Sequence, residues 1–379
     1  MRTSFSSLSI ALSLVSYASA FAHYASLAGR SNEEIEFFMR TTNVPIVGAG
    51  PPPPALNDTR AKLVADAAHP FIPATANDIR GPCPGLNTLA SHGYLNRNGI
   101  VTPQEVVTAV QEGFNMGWDL ATLVTWGAFL VDGNHLTNLM SIGQKSSETG
   151  KNPPSPAIVG GLNTHGVFEG DASTTRGDFY FGDNHSFNET LFDVFLNKSA
   201  VYGGGKYNIT AAAEVRWARI QDSMARNPNF TFTTPRYFTA YAESAFPFRF
   251  FVDGRDTSAS LNTTVARGFF QDTTYPVDFY RRNGTYGLEN IGPDLNFLAS
   301  AHPIEPGFNV GAGNYTLDPQ DPGLDGICYL YTKHVNVTVR SLYPNPTGAL
   351  RTALKENLVT FYKAVELTDS CEQVFPYGK

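Results

Sequence analysis

The sequence predicts a mainly α-helical fold: a single compact helical domain with long ordered loops and little β structure. Three segments place apolar residues at helical spacing, whereas strand-like alternation is rare and is clearest in HVNVTVRSL, residues 334–342. The 25 prolines and 34 glycines indicate long connections between the helices. No repeat and no obvious linker interrupts residues 60–379, so we expect one domain there.

The first helix is predicted by the signals at its start. In TPQEVVTAVQEGF, residues 102–114, Thr102 suits the N-cap, Pro103 the first helical position and Glu105 the closing position of a capping box. The apolar residues that follow recur at helical spacing, namely Val106, Val107, Val110 and Phe114. We therefore expect an amphipathic helix with one face on the core.

Two later segments also have the pattern of helices. Residues 210–228, TAAAEVRWARIQDSMARNP, should be helical up to Asn227 and Pro228, which stop it. Residues 345–365, NPTGALRTALKENLVTFYKAV, keep one apolar face, formed by Leu350, Leu354, Leu358 and Phe361.

The amino-terminal residues predict export from the cell. Residues 1–20 have an early arginine, a short apolar run and a final ASA, the pattern of a cleavable secretory signal. Residues 21–50 have the composition of a pro-segment or tail, which leaves residues 51–379 as the functional domain. No stretch approaches the roughly 18 apolar residues that span a bilayer, so we expect a secreted, extracellular protein without a membrane anchor.

Composition narrows the possible partners further. The net charge of −7 and the lack of a basic stripe argue against nucleic acid. Ten Asn-x-Ser/Thr sequences support a secreted glycoprotein, beginning at Asn57, Asn184, Asn188, Asn197, Asn208, Asn229, Asn262, Asn283, Asn314 and Asn336.

The chain has three cysteines, so at least one lacks an intramolecular partner. In an oxidising compartment the simplest pairing joins Cys328 to Cys371. That bridge would close a loop of about 44 residues and stabilise the fold by roughly 4 kcal/mol. Cys83 then remains, as an inert thiol, an intermolecular bridge or a functional group.

The residues around Cys83 favour a functional role. Pro84 suits the first position of a helix, which makes Cys83 its N-cap, and Gly85 leaves space beside the sulfur. Free backbone N–H groups and the helix dipole should then lower the pKa of the thiol. A nucleophile would need a base, and His92 lies over two turns away, whereas a fixed thiolate also suits axial ligation of haem iron.

Two further motifs give this thiol a context. HGVFEGDASTTRGD, residues 165–178, contains Glu169-Gly170-Asp171, and PRYFTAYAESAFP, residues 235–247, contains Arg236 and Glu243. With Pro82-Cys83-Pro84 before them, they resemble the signature of the fungal unspecific peroxygenases of the long, secreted type. These are haem-thiolate enzymes related to fungal chloroperoxidase. The resemblance extends from about Arg80 to the closing CEQVFPYGK.

The resemblance implies a helical domain that encloses haem b, with Cys83 as the axial ligand of the iron. It implies that Glu169, the backbone carbonyl of Gly170 and the hydroxyl of Ser173 hold a magnesium ion beside the haem. Magnesium takes few protein oxygens and keeps several waters, which fits such a sparse set. By itself the Glu-Gly-Asp sequence would be an ordinary acidic turn. Phe168 and Phe246 match aromatic residues of the haem pocket.

Arg236 and Glu243 are seven residues apart, so on a helix they project from nearly one face. Their aromatic neighbours favour a pocket wall over an exposed, unconnected pair. The resemblance implies that Glu243 is the acid–base group for hydrogen peroxide and that Arg236 stabilises charge as the O–O bond breaks. We expect a monomeric peroxygenase that oxygenates C–H bonds and aromatic rings of small hydrophobic or aromatic substrates, with one-electron peroxidase side activity.

Several alternatives remain at this point. Chloroperoxidase has a histidine at the centre of its acidic motif, whereas Gly170 and the Arg/Glu pair favour a peroxygenase over a haloperoxidase. Met116 and Leu123 replace phenylalanines of several relatives, which leaves the preference for aromatic or aliphatic substrates open. A glycoside hydrolase with two of these carboxylates, or a non-enzymatic glycoprotein cross-linked through Cys83, are the other possibilities. His165 and His185 are expected to be structural or surface residues.

Overall fold

The computed structural model describes residues 50–367 and 370–379, and the predicted signal and nearly all of the pro-segment lie outside these ranges. The α-helices are α1 Pro84–Ser91, α2 Pro103–Phe114, α3 Trp118–Asp132, α4 Glu189–Tyr202, α5 Ile209–Arg226, α6 Arg236–Phe250, α7 Thr263–Arg267, α8 Leu288–Ala301, α9 Ile327–Lys333, α10 Arg340–Leu342 and α11 Gly348–Glu366. Short π-helical segments follow α7 and α9, at Gly268–Asp272 and His334–Val339. The mainly helical fold class is therefore confirmed.

The strands are short and lie at the edges of the helical core. They are β1 Lys62–Leu63, β2 Ile100–Val101, β3 Met140–Ser141, β4 Lys206–Tyr207, β5 Thr231–Phe232, β6 Leu261–Asn262, β7 Tyr280–Arg281, β8 Gly307–Asn309 and β9 Tyr315–Leu317. All pair antiparallel: β1 with β7, β2 with β3, β4 with β6, and β8 between β5 and β9. Such two- and three-residue pairings fasten loops to one another and form no layer of their own.

Helix starts follow the local signals in the sequence. At α2 the Thr102 hydroxyl accepts the N–H of Glu105 at 3.2 Å, and the Glu105 carboxylate accepts the N–H of Thr102 at 2.7 Å, as the capping box predicts. The second predicted helix is α5, which is capped by Asn208. The third is α11, whose predicted apolar face is buried in the core.

The expectation of strand character in residues 334–342 is wrong. This stretch continues α9 as a π-helical segment and then as α10. Val335 and Val339 are fully buried while Val337 is 59% exposed, so the buried residues recur every fourth position. Alternating valines imitate a strand in the sequence, but the burial pattern is that of one helical face.

The helices pack in two connected groups. α3 lies between α2 and α11, while α5 packs against α4, α6 and α8. A buried set of polar side chains, Trp126, His135 and Asn357, connects α11 to α3 and to the residues that follow α3, and we call it the α3–α11 seam. In it, Trp126 Nε1 donates to Asn357 Oδ1, and Asn357 Nδ2 donates to His135 Nδ1. The disulfide joins Cys328 to Cys371 with their Cα atoms 5.3 Å apart, which confirms the predicted pairing.

The segment just before the domain core is also anchored. The carbonyl of Pro53 accepts the indole N–H of Trp118 at 2.6 Å, and the buried Arg281 donates to the carbonyl of Asp58. Residues from about 50 onward therefore belong to the packed structure. Across the described ranges, no helix has both the length and the apolar character needed to cross a bilayer.

Candidate active site

A cavity of about 250 Å³ lies where α1, α2, α3 and α6 meet the loop that contains residues 168–176. Its wall is mainly apolar, with rings and aliphatic side chains from all these elements. The polar side chains that reach it include Cys83, Glu169, Ser173, Arg176 and Glu243. The three sequence motifs, up to 160 residues apart in the chain (243 minus 83), thus face one space.

Cys83 is the N-cap of α1, as predicted, with Pro84 at the first helical position. Its thiol is free, and the backbone N–H groups of Gly85 and Leu86 favour its thiolate form, although neither of them makes a capping hydrogen bond to the sulfur. The expected lowering of its pKa is wrong for the protein chain by itself. Burial raises the pKa of Cys83 more than the N–H groups and Arg176 lower it, because the apolar surroundings disfavour the thiolate. A bound metal cation reverses this balance, since a coordinating thiol is deprotonated.

Arg236 and Glu243 form a direct ion pair on α6. Arg236 Nη1 lies 2.7 Å from Glu243 Oε2, so the long side chain spans the two turns between their backbones. Arg236 is buried and Glu243 is 39% exposed towards the cavity. The sequence predicted that the two side chains share one face of a helix in a pocket wall, and the structure shows in addition that they form an ion pair.

Arg236 also joins α6 to the Glu-Gly-Asp loop. Its Nε donates to the carbonyl of Asp171 at 2.8 Å, and Nη1 also donates to Thr239 Oγ1 at 3.2 Å. A Cβ atom built on Gly170 would lie 2.5 Å from Arg236 Cδ, well inside contact distance. Glycine at this position therefore leaves the space through which the arginine reaches Glu243.

Glu169 and Ser173 flank this glycine and both face the cavity. Glu169 Oε1 is buried without a hydrogen-bond partner, whereas Oε2 accepts a hydrogen bond from His165 Nδ1 at 3.0 Å. Ser173 Oγ donates to the carbonyl of Gly170 at 3.2 Å, so the three predicted magnesium ligands lie together. Among the described residues no cluster of three His, Cys, Asp or Glu side chains could hold a metal alone, and the predicted set contains one carboxylate.

His165 is a structural residue, as the sequence suggested, and the structure shows what it holds in place. Besides its bond to Glu169, its ring stacks on Phe179 with centroids 4.7 Å apart, so it fixes the orientation of that carboxylate. The spacing of four residues between His165 and Glu169 was the available signal. His185 does lie at the surface, against Asp183.

Aromatic side chains form much of the remaining wall. Phe168 and Phe246, which the resemblance assigns to the haem pocket, both line the cavity, and Phe246 packs on Phe250 with centroids 5.5 Å apart. Met116 also lines it, whereas Leu123 packs against the core beside the cavity and its neighbour Val124 faces the space. Of the two positions that the sequence singled out, one therefore shapes the cavity directly.

Comparison with known proteins agrees with this geometry. Residues 69–284 match the model of a family described as peroxidase, family 2. The chain is 53% identical to an aromatic peroxygenase of Cyclocybe aegerita over 361 residues, which cover 95% of each chain. It is 51% identical to an aromatic peroxygenase of Coprinellus radians over 269 residues, 70% of this chain and 99% of the relative.

These likenesses define the class: the protein is a member of the family 2 peroxidases. A more distant relative, an aromatic peroxidase of Fusarium equiseti, is 30% identical over 65% of this chain and 62% of its own. Within the family, the chain is therefore much more similar to the two aromatic peroxygenases.

Proposed function

We propose that this protein is a haem-thiolate peroxygenase that uses hydrogen peroxide to oxygenate small hydrophobic or aromatic molecules. The observation that carries the proposal is the meeting, in one apolar cavity, of a free helix-capping thiol and a Glu–Arg pair. The high identity to two aromatic peroxygenases supports it.

The residues around the cavity fit haem b. The free sulfur of Cys83 is suited to be the axial ligand, because it lines the cavity at the start of α1, where the backbone N–H groups of Gly85 and Leu86 favour a thiolate. The apolar wall suits a porphyrin, and Phe168 and Phe246 supply aromatic contacts. Arg176 Nε is a buried donor without an acceptor, which a cofactor carboxylate would satisfy, and Glu169 Oε1 is a buried acceptor without a donor, which suits a cation. When bound, the haem supplies the redox chemistry that splits the O–O bond and transfers oxygen.

Glu243 moves the protons in this proposal. Its carboxylate takes a proton from hydrogen peroxide in the cavity and returns it to the departing oxygen, which leaves as water. Arg236 fixes the carboxylate through the 2.7 Å ion pair and places positive charge near the breaking bond. Since Arg236 is itself held by Asp171 and Thr239, the pair is oriented before peroxide arrives.

We assign a magnesium ion to the side of the cavity formed by Glu169, Gly170 and Ser173. The unpaired Oε1 of Glu169 supports this, together with the carbonyl and hydroxyl oxygens beside it. Oxygen ligands of this kind are those that Mg²⁺ prefers, and waters would supply further ligands. The ion would offset negative charge at this edge of the haem.

The alternatives explain the geometry less well. A histidine at position 170, as in chloroperoxidase, would collide with the present Arg236, so this chain is built for the Arg–Glu pair. A glycoside hydrolase would use two carboxylates, yet this largely apolar cavity also holds a buried thiol and Glu243 is neutralised by an arginine.

We also propose secretion as a monomeric glycoprotein, on the basis of the amino-terminal signal and the sequons. Asn184 is an exception among these sequons, because it is 3% exposed and its Nδ2 donates to the carbonyl of Asn163. Deglycosylation of the secreted protein should therefore lower its mass without any glycan released from Asn184. A glycopeptide that contains modified Asn184 would contradict this assignment.

The decisive experiment is a spectrum of the purified holoenzyme reduced with dithionite under CO. Thiolate ligation predicts a strongly red-shifted Soret band, and a folded, colourless protein would refute the proposal.

Glu243→Gln should keep the haem, and its rate of oxygenation of an aromatic substrate should fall by about 10²–10⁴-fold. Glu112→Gln is the matched control, since Glu112 is also part-exposed and paired with a buried arginine but lies outside the cavity wall. Equal activity of the two variants would exclude Glu243 as the acid–base group.

A further inference from the structure

Arg176 is a buried cation whose role the mechanism above leaves open. It is 4% exposed and lines the same cavity as Cys83. Its Nη1 donates to Thr175 Oγ1 at 2.6 Å and its Nη2 to the carbonyl of Phe270 at 3.3 Å. Its Nε is buried without any partner. Both acceptors are neutral, so in the part of the chain that the structure describes nothing balances the charge at close range.

Such an arrangement is costly for the protein chain alone. Burial lowers the pKa of Arg176 to about 10, although the nearby Cys83 and Asp183 act in the opposite direction. Most other buried arginines have a carboxylate: Arg219 pairs with Asp178, Arg236 with Glu243 and Arg281 with Glu112. A buried charge is normally retained only where something compensates it.

We infer that Arg176 binds a carboxylate of the haem, and so acts as the cofactor-anchoring cation of this cavity. A guanidinium presents N–H donors in a planar fork that matches a carboxylate, and its Nε still lacks an acceptor. Haem b offers carboxylates, and Arg176 lies three residues from Ser173 and lines the same cavity as Glu169 and Ser173, the side chains of the predicted magnesium site. This inference rests on the haem occupancy proposed above.

The choice of a carboxylate over the Cys83 sulfur follows from the donor geometry. Arg176 acts on Cys83 only through space and makes no hydrogen bond to its sulfur, and the backbone N–H groups of Gly85 and Leu86 already favour the thiolate. The cation therefore has an unused directional donor as well as an unbalanced charge. A carboxylate satisfies both, whereas a sulfur is a weak acceptor and does not match the planar fork of the guanidinium.

The test compares two cofactors that differ only in their carboxylates. Holoenzymes of the wild type, Arg176→Met and Arg176→Lys are loaded with haem b or with its dimethyl ester, and the loss of each haem to excess apomyoglobin is followed by absorbance. With haem b, Arg176→Met should release the cofactor at least about tenfold faster than the wild type, with Arg176→Lys between them. With the diester, the wild type and Arg176→Met should release it at the same rate.

Arg80→Met is the matched control. Arg80 also donates only to neutral oxygens and has a buried, unpaired Nε, but it lies outside the cavity wall. Its replacement should leave the haem b to diester rate ratio unchanged. Equal acceleration of both cofactors by Arg176→Met, or no acceleration of either, would overturn the inference. A wild-type protein that takes up neither cofactor would instead refute the proposed function itself.

Discussion

The cavity wall and the α3–α11 seam both bury polar side chains, but they differ in whether every buried polar atom has a hydrogen-bond partner. In the seam, the amide of Asn357 joins Trp126 to His135, and His135 Nε2 donates to the carbonyl of Leu130, so every polar side-chain atom of this set has a partner. In the cavity wall, Glu169 Oε1 and Arg176 Nε have none. Both regions use the same α3 helix as a support.

This difference in hydrogen bonding indicates that the seam serves the stability of the fold and the cavity wall serves ligand binding. A satisfied polar network is complete within the chain and fixes one packing of the core. Unsatisfied buried groups raise the free energy of the chain until a ligand supplies their partners. Changes in the wall should therefore alter ligand binding and rate, and changes in the seam should alter folding.

The largest effect should come from Arg236→Met in the wall. Loss of the cation that orients Glu243 should lower kcat/KM for peroxide by about 10³-fold, while the haem content stays normal. Stopped-flow mixing of the holoenzyme with peroxide measures this, with Arg267→Met as a control at an exposed ion pair with Glu189. A wild-type rate in Arg236→Met would show that the ion pair plays no part in peroxide cleavage.

Asn357→Leu in the seam should lower the stability of the protein and leave its activity nearly unchanged. It leaves the Trp126 N–H and His135 Nδ1 unpaired in the core, which should lower the free energy of unfolding by about 4 kcal/mol. Turnover per bound haem should stay within twofold of the wild type. Urea titration measures the stability and steady-state assays measure the turnover. A stable but inactive Asn357→Leu variant would contradict the view that the seam serves folding and the cavity wall serves activity.

Acid should act on the seam as well. Burial lowers the pKa of His135 to about 4, against an ordinary value of 6.5, and the same holds for His334. Since the unfolded chain binds protons first, stability is intact above about pH 6.5 and falls as pH drops towards 4, by about 3 kcal/mol for each histidine. Urea midpoints between pH 7 and 4 should show this slope, and His334→Gln, which removes the second histidine and leaves His135 in the seam, should reduce it by about half. An unchanged slope in His334→Gln would show that protonation of His334 does not contribute to the loss of stability in acid.

The smallest effect concerns Arg176 in haem-free protein. Removing an uncompensated buried charge should stabilise that form, so Arg176→Met should raise its free energy of unfolding by about 1 kcal/mol while weakening the holoenzyme. Thermal melts of both forms, with and without haem, provide the comparison. Destabilisation of both forms alike would mean that Arg176 serves the fold instead of the ligand.

Much of the fold could be predicted because its signals are local. The capping box of Thr102 and Glu105, the proline after Cys83 and the apolar face of α11 each depend on residues within a few turns. The Cys328–Cys371 bridge followed from cysteine number and compartment. The shared face of Arg236 and Glu243 followed from helical period.

The remaining features depend on contacts between distant parts of the chain. The partner of Arg176 at Phe270 is 94 residues away, and no pattern around Arg176 indicates its burial. The pKa of Cys83 was mispredicted because the capping N–H groups are visible in the sequence and the apolar surroundings are not. The valines of residues 334–339 misled for a related reason, since alternation shows composition but not which side is buried.

The close approach of Gly170 to Arg236 has a consequence for how such sites can change over time. Because a Cβ atom at position 170 would lie 2.5 Å from Arg236 Cδ, a larger residue at position 170 and the present path of the arginine exclude each other. A lineage that acquired a larger residue there would first have to abandon the arginine, and with it the oriented glutamate. The residue at position 170 and the residue at position 236 are thus coupled, and a larger side chain at 170 requires a change at 236 first.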